Sequence, residues 1–231
     1  MSAVPRTPET GLFARLRTAA GTDWDAYCRH RFVAGMADGS LPEAAFRHYL
    51  TQDTLFLIQF ARAYALAAYK SETLADLRAA SAAIAAIVDV EMGLHLSYCA
   101  RWRLDESGML AVPEDLATTA YTRYVLDCGL RGDLLDLEVA LAPCVIGYGE
   151  IGRRLAADPA TRRTNNPYAD WIDMYAGTEY QALAADAGAR LDDLWARRGG
   201  PGRFEALAGI FTQATRLEIA FWQMGWDAGL E

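Results

Sequence analysis

Apolar residues recur along this chain at intervals of three and four, the period of a helix that buries one face. Residues 133–156 show it plainly: Leu134, Leu137, Leu141, Cys144, Tyr148, Ile151 and Leu155 fall on one side. Residues 42–70 repeat the pattern with Phe46, Tyr49, Leu50, Asp53, Phe56, Leu57, Phe60 and Tyr64. So do residues 203–228, with Phe204, Leu207, Phe211, Ala214, Glu218, Phe221, Trp222 and Gly225.

Helix breakers set the remaining boundaries. Residues 9–37 read as one or two helices with a break at Gly21, and a turn follows at 37–42. Pro42 starts the helix to 70, where its missing N–H costs nothing. Ser71 is expected to cap a helix over 72–103, with Glu72 in its first turn. A loop is expected at 104–113, then helices at 114–128 and 133–156 separated by Gly129–Gly132. The polar linker 157–167 leads into a short helix ending near 176, a further helix at 178–197, and a loop at 197–202 before the final helix. Helices in series, joined by short loops, predict an all-α multi-helix bundle occupying 1–231, with 1–10 a flexible N-terminal segment.

Composition sharpens the fold class. There are 43 alanines against 8 valines and 8 isoleucines, which favours helix and excludes all-β architectures. The net charge is −8, and no basic stripe interleaves with aromatics, so no nucleic-acid partner is expected. No apolar run is read as long enough to span a membrane, and MSAVPRTPET lacks the pattern of a secretory signal. Cys28, Cys99, Cys128 and Cys144 are widely spaced without a C-x-x-C pair, so reduced thiols in the cytoplasm are expected.

Candidate chemistry comes from polar residues lying on apolar stripes. Cys144 and Tyr148 stand one turn apart on an inward face, just after a helix-interior proline, Pro143, which is expected to kink the helix and leave space beside the thiol. Glu218 and Asp53 are carboxylates in otherwise apolar stripes, where burial raises a carboxyl pKa unless the group is paired. Tyr121 shares a face with Ala117 and Cys128, and Tyr175 with Tyr168 and Trp171. Each has a structural alternative. A buried Cys is commonly a small hydrophobe, Glu218 could bridge an inward Arg, Asp53 could bond a neighbouring helix, and the tyrosines could be core. A central polar cavity accounts for all of them together. A thiol beside a proton-shuttling carboxyl suits covalent catalysis, and aromatic walls suit a flat heteroaromatic substrate whose amino group Asp53 could accept from.

Other chemistries lack support. The three histidines are His30, His48 and His95, and Glu91–His95 is spaced i, i+4 rather than as the Glu-x-x-His of di-iron bundles. No metal and no cofactor is expected. Phosphate-loop, dinucleotide and hydrolase-elbow motifs are absent from the sequence.

Four segments in order, HRFVAGMADGSLPEAAFRHYLTQDTLFL, LAPCVIGYGEIG, NPYADWIDMYAG and RLEIAFWQMGW, resemble the motifs of the TenA family, also called thiaminase II or aminopyrimidine aminohydrolase. The resemblance spans roughly residues 12–228. It implies a bundle similar to haem oxygenase but without haem, commonly assembled as a homotetramer. It implies hydrolytic removal of the substituent on the methylene of a 4-amino-2-methylpyrimidine: ammonia from the aminomethyl compound, or the thiazole of thiamin. The hydroxymethylpyrimidine product feeds thiamin synthesis.

By this resemblance Cys144 is the nucleophile, supported by Tyr148, and Glu218 is the catalytic acid. Asp53 holds the pyrimidine, and Tyr121 and Tyr175 line its pocket. Phe56 stands in the substrate site where some members carry tyrosine, so that hydroxyl is missing. His30-Arg31 replaces the usual His-Pro, a change expected to touch only a helix terminus. The implied chemistry needs a Cys144 thiolate, and local hydrogen bonding is expected to aid its formation. A non-catalytic pyrimidine or thiamin carrier, and an oxidase or oxygenase of the same fold, are the competing classes.

Overall fold

The computed structural model describes residues 11–230. The expected flexible segment at 1–10 lies outside the described residues. Twelve α-helices and one π-helical turn account for the regular structure, and no strand occurs among the described residues. They are α1 Leu12–Ala20, α2 Thr22–Cys28, α3 Arg31–Asp38, α4 Glu43–Lys70, α5 Leu74–Ala85, α6 Met92–Ala100, α7 Glu106–Leu110, α8 Leu116–Arg131, α9 Leu134–Ala157, α10 Ala169–Ala176, α11 Thr178–Arg198 and α12 Arg203–Asp227. The π turn, Ala86–Glu91, joins α5 to α6. The all-α expectation agrees with this architecture.

α9 is the centre. It is buried along most of its length and packs against α4, α8, α10, α11 and α12. A helix apolar on nearly every side is stable only with neighbours all round it. Its start is fixed by a reciprocal cap: Asp133 accepts from the Leu135 and Asp136 amides, while the Asp136 carboxylate accepts from the Asp133 amide. The helix runs on through Pro143, and Tyr27 of α2 donates its hydroxyl to the Pro143 carbonyl. Against α9 and α4 the other helices stack rings. Trp222 lies 5.0 Å from Phe32, 5.1 Å from Tyr49 and 5.3 Å from Tyr148, centroid to centroid. Each fully buried large apolar side chain contributes about 1.5–3 kcal/mol.

Several boundaries differ from those expected. Residues 12–38 form three helices, where one or two are expected over 9–37, because His30 breaks the run and caps α3, its ring nitrogen accepting from the Phe32 amide. Thr73, not Ser71, caps α5: its hydroxyl accepts from the Asp76 amide, leaving Glu72 before the helix. The loop at 104–113 contains α7, capped by Asp105. α8 continues past Gly129 to Arg131, since a buried glycine inside a helix lets Leu66 and Leu137 approach its backbone.

The largest correction concerns membrane length. α5, the π turn and α6 form one continuous 27-residue rod, Leu74–Ala100, long and apolar enough to cross a membrane by length and composition. Alanine raises its mean hydropathy without producing the bulky apolar run looked for in the sequence. Only 17% of its apolar window is buried, and Leu77, Val88 and Val90 face outward.

Close approach of α10 to α9 depends on Gly152, where an added Cβ would come within 2.6 Å of the Tyr175 backbone. Gly152→Ala is therefore expected to destabilise the fold by about 1–3 kcal/mol. Gly209, exposed on α12 with nothing near its Cβ position, should tolerate alanine and gain up to ~1 kcal/mol. Urea midpoints of the two variants check this; a neutral Gly152→Ala contradicts the packing described.

Candidate active site

α9 brings Cys144 to the wall of a cavity of about 680 Å³ between α4, α5, α9 and α11. Phe60 and Tyr64 of α4, Ile87 and Glu91 of the π turn, and Tyr180 of α11 share the wall with it. The alanines of α5 form one long side. The far end is closed by a charged cluster in which Arg190 donates to Glu138 at 2.7 Å and to Asp76 at 3.0 Å.

Of the seven residues singled out from the sequence, the cavity wall takes in Cys144. The other six lie packed together behind it. Tyr148 stacks on Tyr175 at 5.1 Å, and Phe56 packs on Tyr121 at 5.0 Å and on Phe60 at 5.2 Å. Asp53 is 4% exposed and Glu218 is 1% exposed. A molecule in the cavity can touch Cys144, and reaching Asp53 or Glu218 requires side chains of the inner wall to part.

Three carboxyls around Cys144, those of Glu218, Asp53 and Glu91, each take a hydrogen bond from a tyrosine. Tyr121 donates to Glu218 at 2.9 Å, Tyr49 to Asp53 at 3.0 Å, and Tyr175 to Glu91 at 2.8 Å. Glu218 does not bridge an arginine, so the salt-bridge alternative fails for it. Asp53 bonds within its own helix rather than to a neighbour. His95 Nε2 stands 3.4 Å from Asp53 Oδ2, but neither ring nitrogen makes a hydrogen bond. Burial lowers the His95 pKa to about 4, so the ring is neutral and the contact is no ion pair.

With no cation beside them, the acids shift upward. Burial raises Glu218 to about 8, a rise that the Tyr121 hydrogen bond partly offsets. Burial raises Glu91. Burial, followed by the charge of Glu91, pushes Asp53 well above the ordinary carboxylate range. Cys144 is pushed well above an ordinary thiol by burial, and then by Glu218, Glu91 and Asp53 in that order. The expected hydrogen-bonding help for a Cys144 thiolate is therefore not what surrounds it. The resting group is a neutral thiol among acids whose protonated form burial favours. Such a set can pass protons without creating charge in a dry site.

Three members of the site escaped the sequence reading. Tyr49 stands in the sequence as one ring of an apolar stripe, yet its hydroxyl meets Asp53 and lies 3.4 Å from the Trp171 indole nitrogen and 3.5 Å from the Tyr148 hydroxyl. Glu91 and His95 were tested only against metal spacing. The available signal was a carboxyl and an imidazole one turn apart in the apolar stretch 82–98. Among the described residues no group of three His, Cys, Asp or Glu side chains is placed to hold a metal ion.

A family model described as the TENA/THI-4/PQQC family matches residues 19–228. An aminopyrimidine aminohydrolase from Halalkalibacterium halodurans is 36% identical over 216 residues, covering 93% of this chain and 95% of the relative. A crystal structure described as a TenA family transcription regulator from Silicibacter sp. TM1040 is 46% identical with a TM-score of 0.89, covering 95% of this chain and 98% of that one. A Shewanella denitrificans domain with a haem oxygenase-like fold superposes with a TM-score of 0.72 at 16% identity, covering 93% of this chain and 92% of that one, which speaks for the fold alone.

The shifted Glu218 makes a stability prediction. An unfolded glutamate titrates near 4.5 and the folded one at about 8, so the native state binds the extra proton between those values. Folded stability is thus lost as pH rises through this window, by up to ~1 kcal/mol per pH unit. Glu218→Gln keeps an acceptor for Tyr121 and cannot ionise. Its melting temperature is expected to gain on the wild type steadily as pH rises to about 9. Parallel melting curves at every pH would contradict the shift.

Proposed function

This chain belongs to the TENA/THI-4/PQQC family, and on that premise we propose that it is an aminopyrimidine aminohydrolase of the thiaminase II type. Its substrate is a 4-amino-2-methylpyrimidine bearing a leaving group on the ring methylene. It releases ammonia from the aminomethyl compound, and thiazole from thiamin, leaving hydroxymethylpyrimidine for thiamin salvage. The observation that carries this reading is Cys144 on a cavity wall, backed by un-ionised acids.

With the side chains of the inner wall parted, the pyrimidine lies against Cys144, between aromatic faces that include Tyr148, Tyr175, Tyr121 and Phe56. Asp53 accepts a hydrogen bond from its exocyclic amine. The Cys144 sulfur attacks the ring carbon next to the one bearing the methylene. The thiol proton passes to Glu218 as Glu218 gives its own proton to the adjacent ring nitrogen, so no net charge appears. The enamine electrons then expel the leaving group and form an exocyclic methylene. Water adds to that carbon and gives up one proton, the equivalent of the one that leaves on ammonia; Glu218 hands its proton to the departing sulfur as it takes back the ring proton, and aromaticity returns. No metal or cofactor enters the scheme.

The remaining assignments are of the same kind. The outward apolar face of Leu74–Ala100 is covered by further copies of the chain in a homotetramer, rather than by a membrane. A net charge of −8 disfavours nucleic acid as a partner. Four unpaired cysteines favour a reducing, cytoplasmic setting.

Cys144→Ala is expected to abolish hydroxymethylpyrimidine and ammonia release, while Cys99→Ala retains it. In the wild type kcat/KM should fall as pH rises through about 8, where Glu218 loses its proton. Glu218→Gln should slow turnover by about 10²–10⁴-fold. Steady-state release assays check all of these. A fully active Cys144→Ala variant overturns the covalent scheme. Tight pyrimidine binding without any turnover favours the carrier reading.

A further inference from the structure

Glu91 is the carboxyl that the scheme above leaves without a task. It ends the π turn, the one departure from α geometry in the rod Leu74–Ala100. Single π turns inside α-helices occur frequently at functional sites, because the widened turn re-aims the residues around it. Here Glu91 lines the same cavity as Cys144, whereas Asp53 and Glu218 are closed off behind the wall. Its Oε1 is held at 2.8 Å by the Tyr175 hydroxyl.

The order of groups around the substrate ring makes the position specific. Asp53 takes the amine-bearing ring carbon, Cys144 the carbon under attack, and Glu218 the nitrogen beyond it. The methylene sits on the carbon between the first two. Glu91 stands on the cavity wall beside Cys144, and burial shifts its carboxyl toward the protonated form that can donate. The methylene is bonded to the carbon next to the one Cys144 attacks, so its leaving group lies in the cavity whose wall Cys144 shares with Glu91.

We propose that Glu91 is the proton-transfer residue for the leaving group and for the water that replaces it. Glu91 and the departing amine hold one proton between them. As the carbon–nitrogen bond breaks, its electron pair goes to nitrogen, and the shared proton leaves on ammonia. Glu91 is then a carboxylate. It takes a proton from water as the oxygen bonds to the exocyclic methylene, which restores the acid. The balance is one water consumed and one ammonia released. A thiazolium departs as a neutral thiazole and needs no proton, so Glu91 serves the first half of that reaction little.

The inference rests on the function proposed above, and one experiment separates the two. Glu91→Gln keeps an acceptor for Tyr175 and removes the exchangeable proton. It is assayed beside the wild type and Cys144→Ala for three quantities. These are turnover of the aminomethylpyrimidine, single-turnover release of thiazole from thiamin, and dissociation of hydroxymethylpyrimidine. Glu91→Gln is expected to lose about 100-fold or more on the amine, less than about tenfold on thiazole release, and to bind the product within about threefold of wild type. Equal losses on both substrates, product binding that weakens in step with turnover, or an amine rate within about tenfold of wild type would each overturn the role of Glu91. A wild type that acts on neither compound removes the proposed function, and the role of Glu91 with it.

Discussion

Two buried carboxyl groups, Asp53 and Glu218, and a third, Glu91, half-buried on the cavity wall, each take a hydrogen bond from a tyrosine, and none is paired with an arginine or lysine. The rest of the site follows from that pairing. A carboxylate without a cation is expensive to bury, and a carboxylic acid with a hydroxyl donor is far less so. Burial therefore shifts all three toward the neutral form, and Cys144 among them stays a thiol. Stability and chemistry pull in one direction here: the protonation state that lets the core close is the one in which an acid can donate.

The bundle supplies what such a site needs. Its ionic groups are kept to other places, such as the Arg190–Glu138–Asp76 cluster at the far end of the cavity and the Asp133–Arg203 pair at the start of α9. Aromatic rings fill the space between the acids. Trp171, Trp222, Tyr148 and Tyr175 form one continuous packed layer. That layer excludes water from Asp53 and Glu218, and excluded water is what raises their pKa values. Cys144 and Glu91 are the groups of the site that the cavity leaves open to an incoming molecule. Binding and proton transfer are thus divided between an open side and a closed one.

Much of this was legible in the residues. Spacing placed Cys144, Tyr148, Asp53 and Glu218 on inward faces, because a polar group in an apolar stripe stands out against its neighbours. The long helices α4, α9 and α12 were read within a few residues of their ends for the same reason. What periodicity could not carry was pairing. Tyr49 looked like any other ring until its hydroxyl was seen against Asp53. Glu91 and His95 lie in a stretch so rich in alanine that no stripe marks an inward face, and the π turn that aims Glu91 has no local sequence signature. Short elements also escaped, since the caps of α3 and α5 depend on which of two neighbouring polar side chains reaches a backbone amide.

Infrared spectroscopy across a pH titration reads the un-ionised carboxyl groups directly, through the carbonyl stretch of protonated acids. The account predicts that this band persists at neutral pH, and that the component missing from Glu218→Gln disappears in the wild type with a midpoint of about 8. Complete loss of the band near the ordinary carboxyl pKa of about 4 would contradict it.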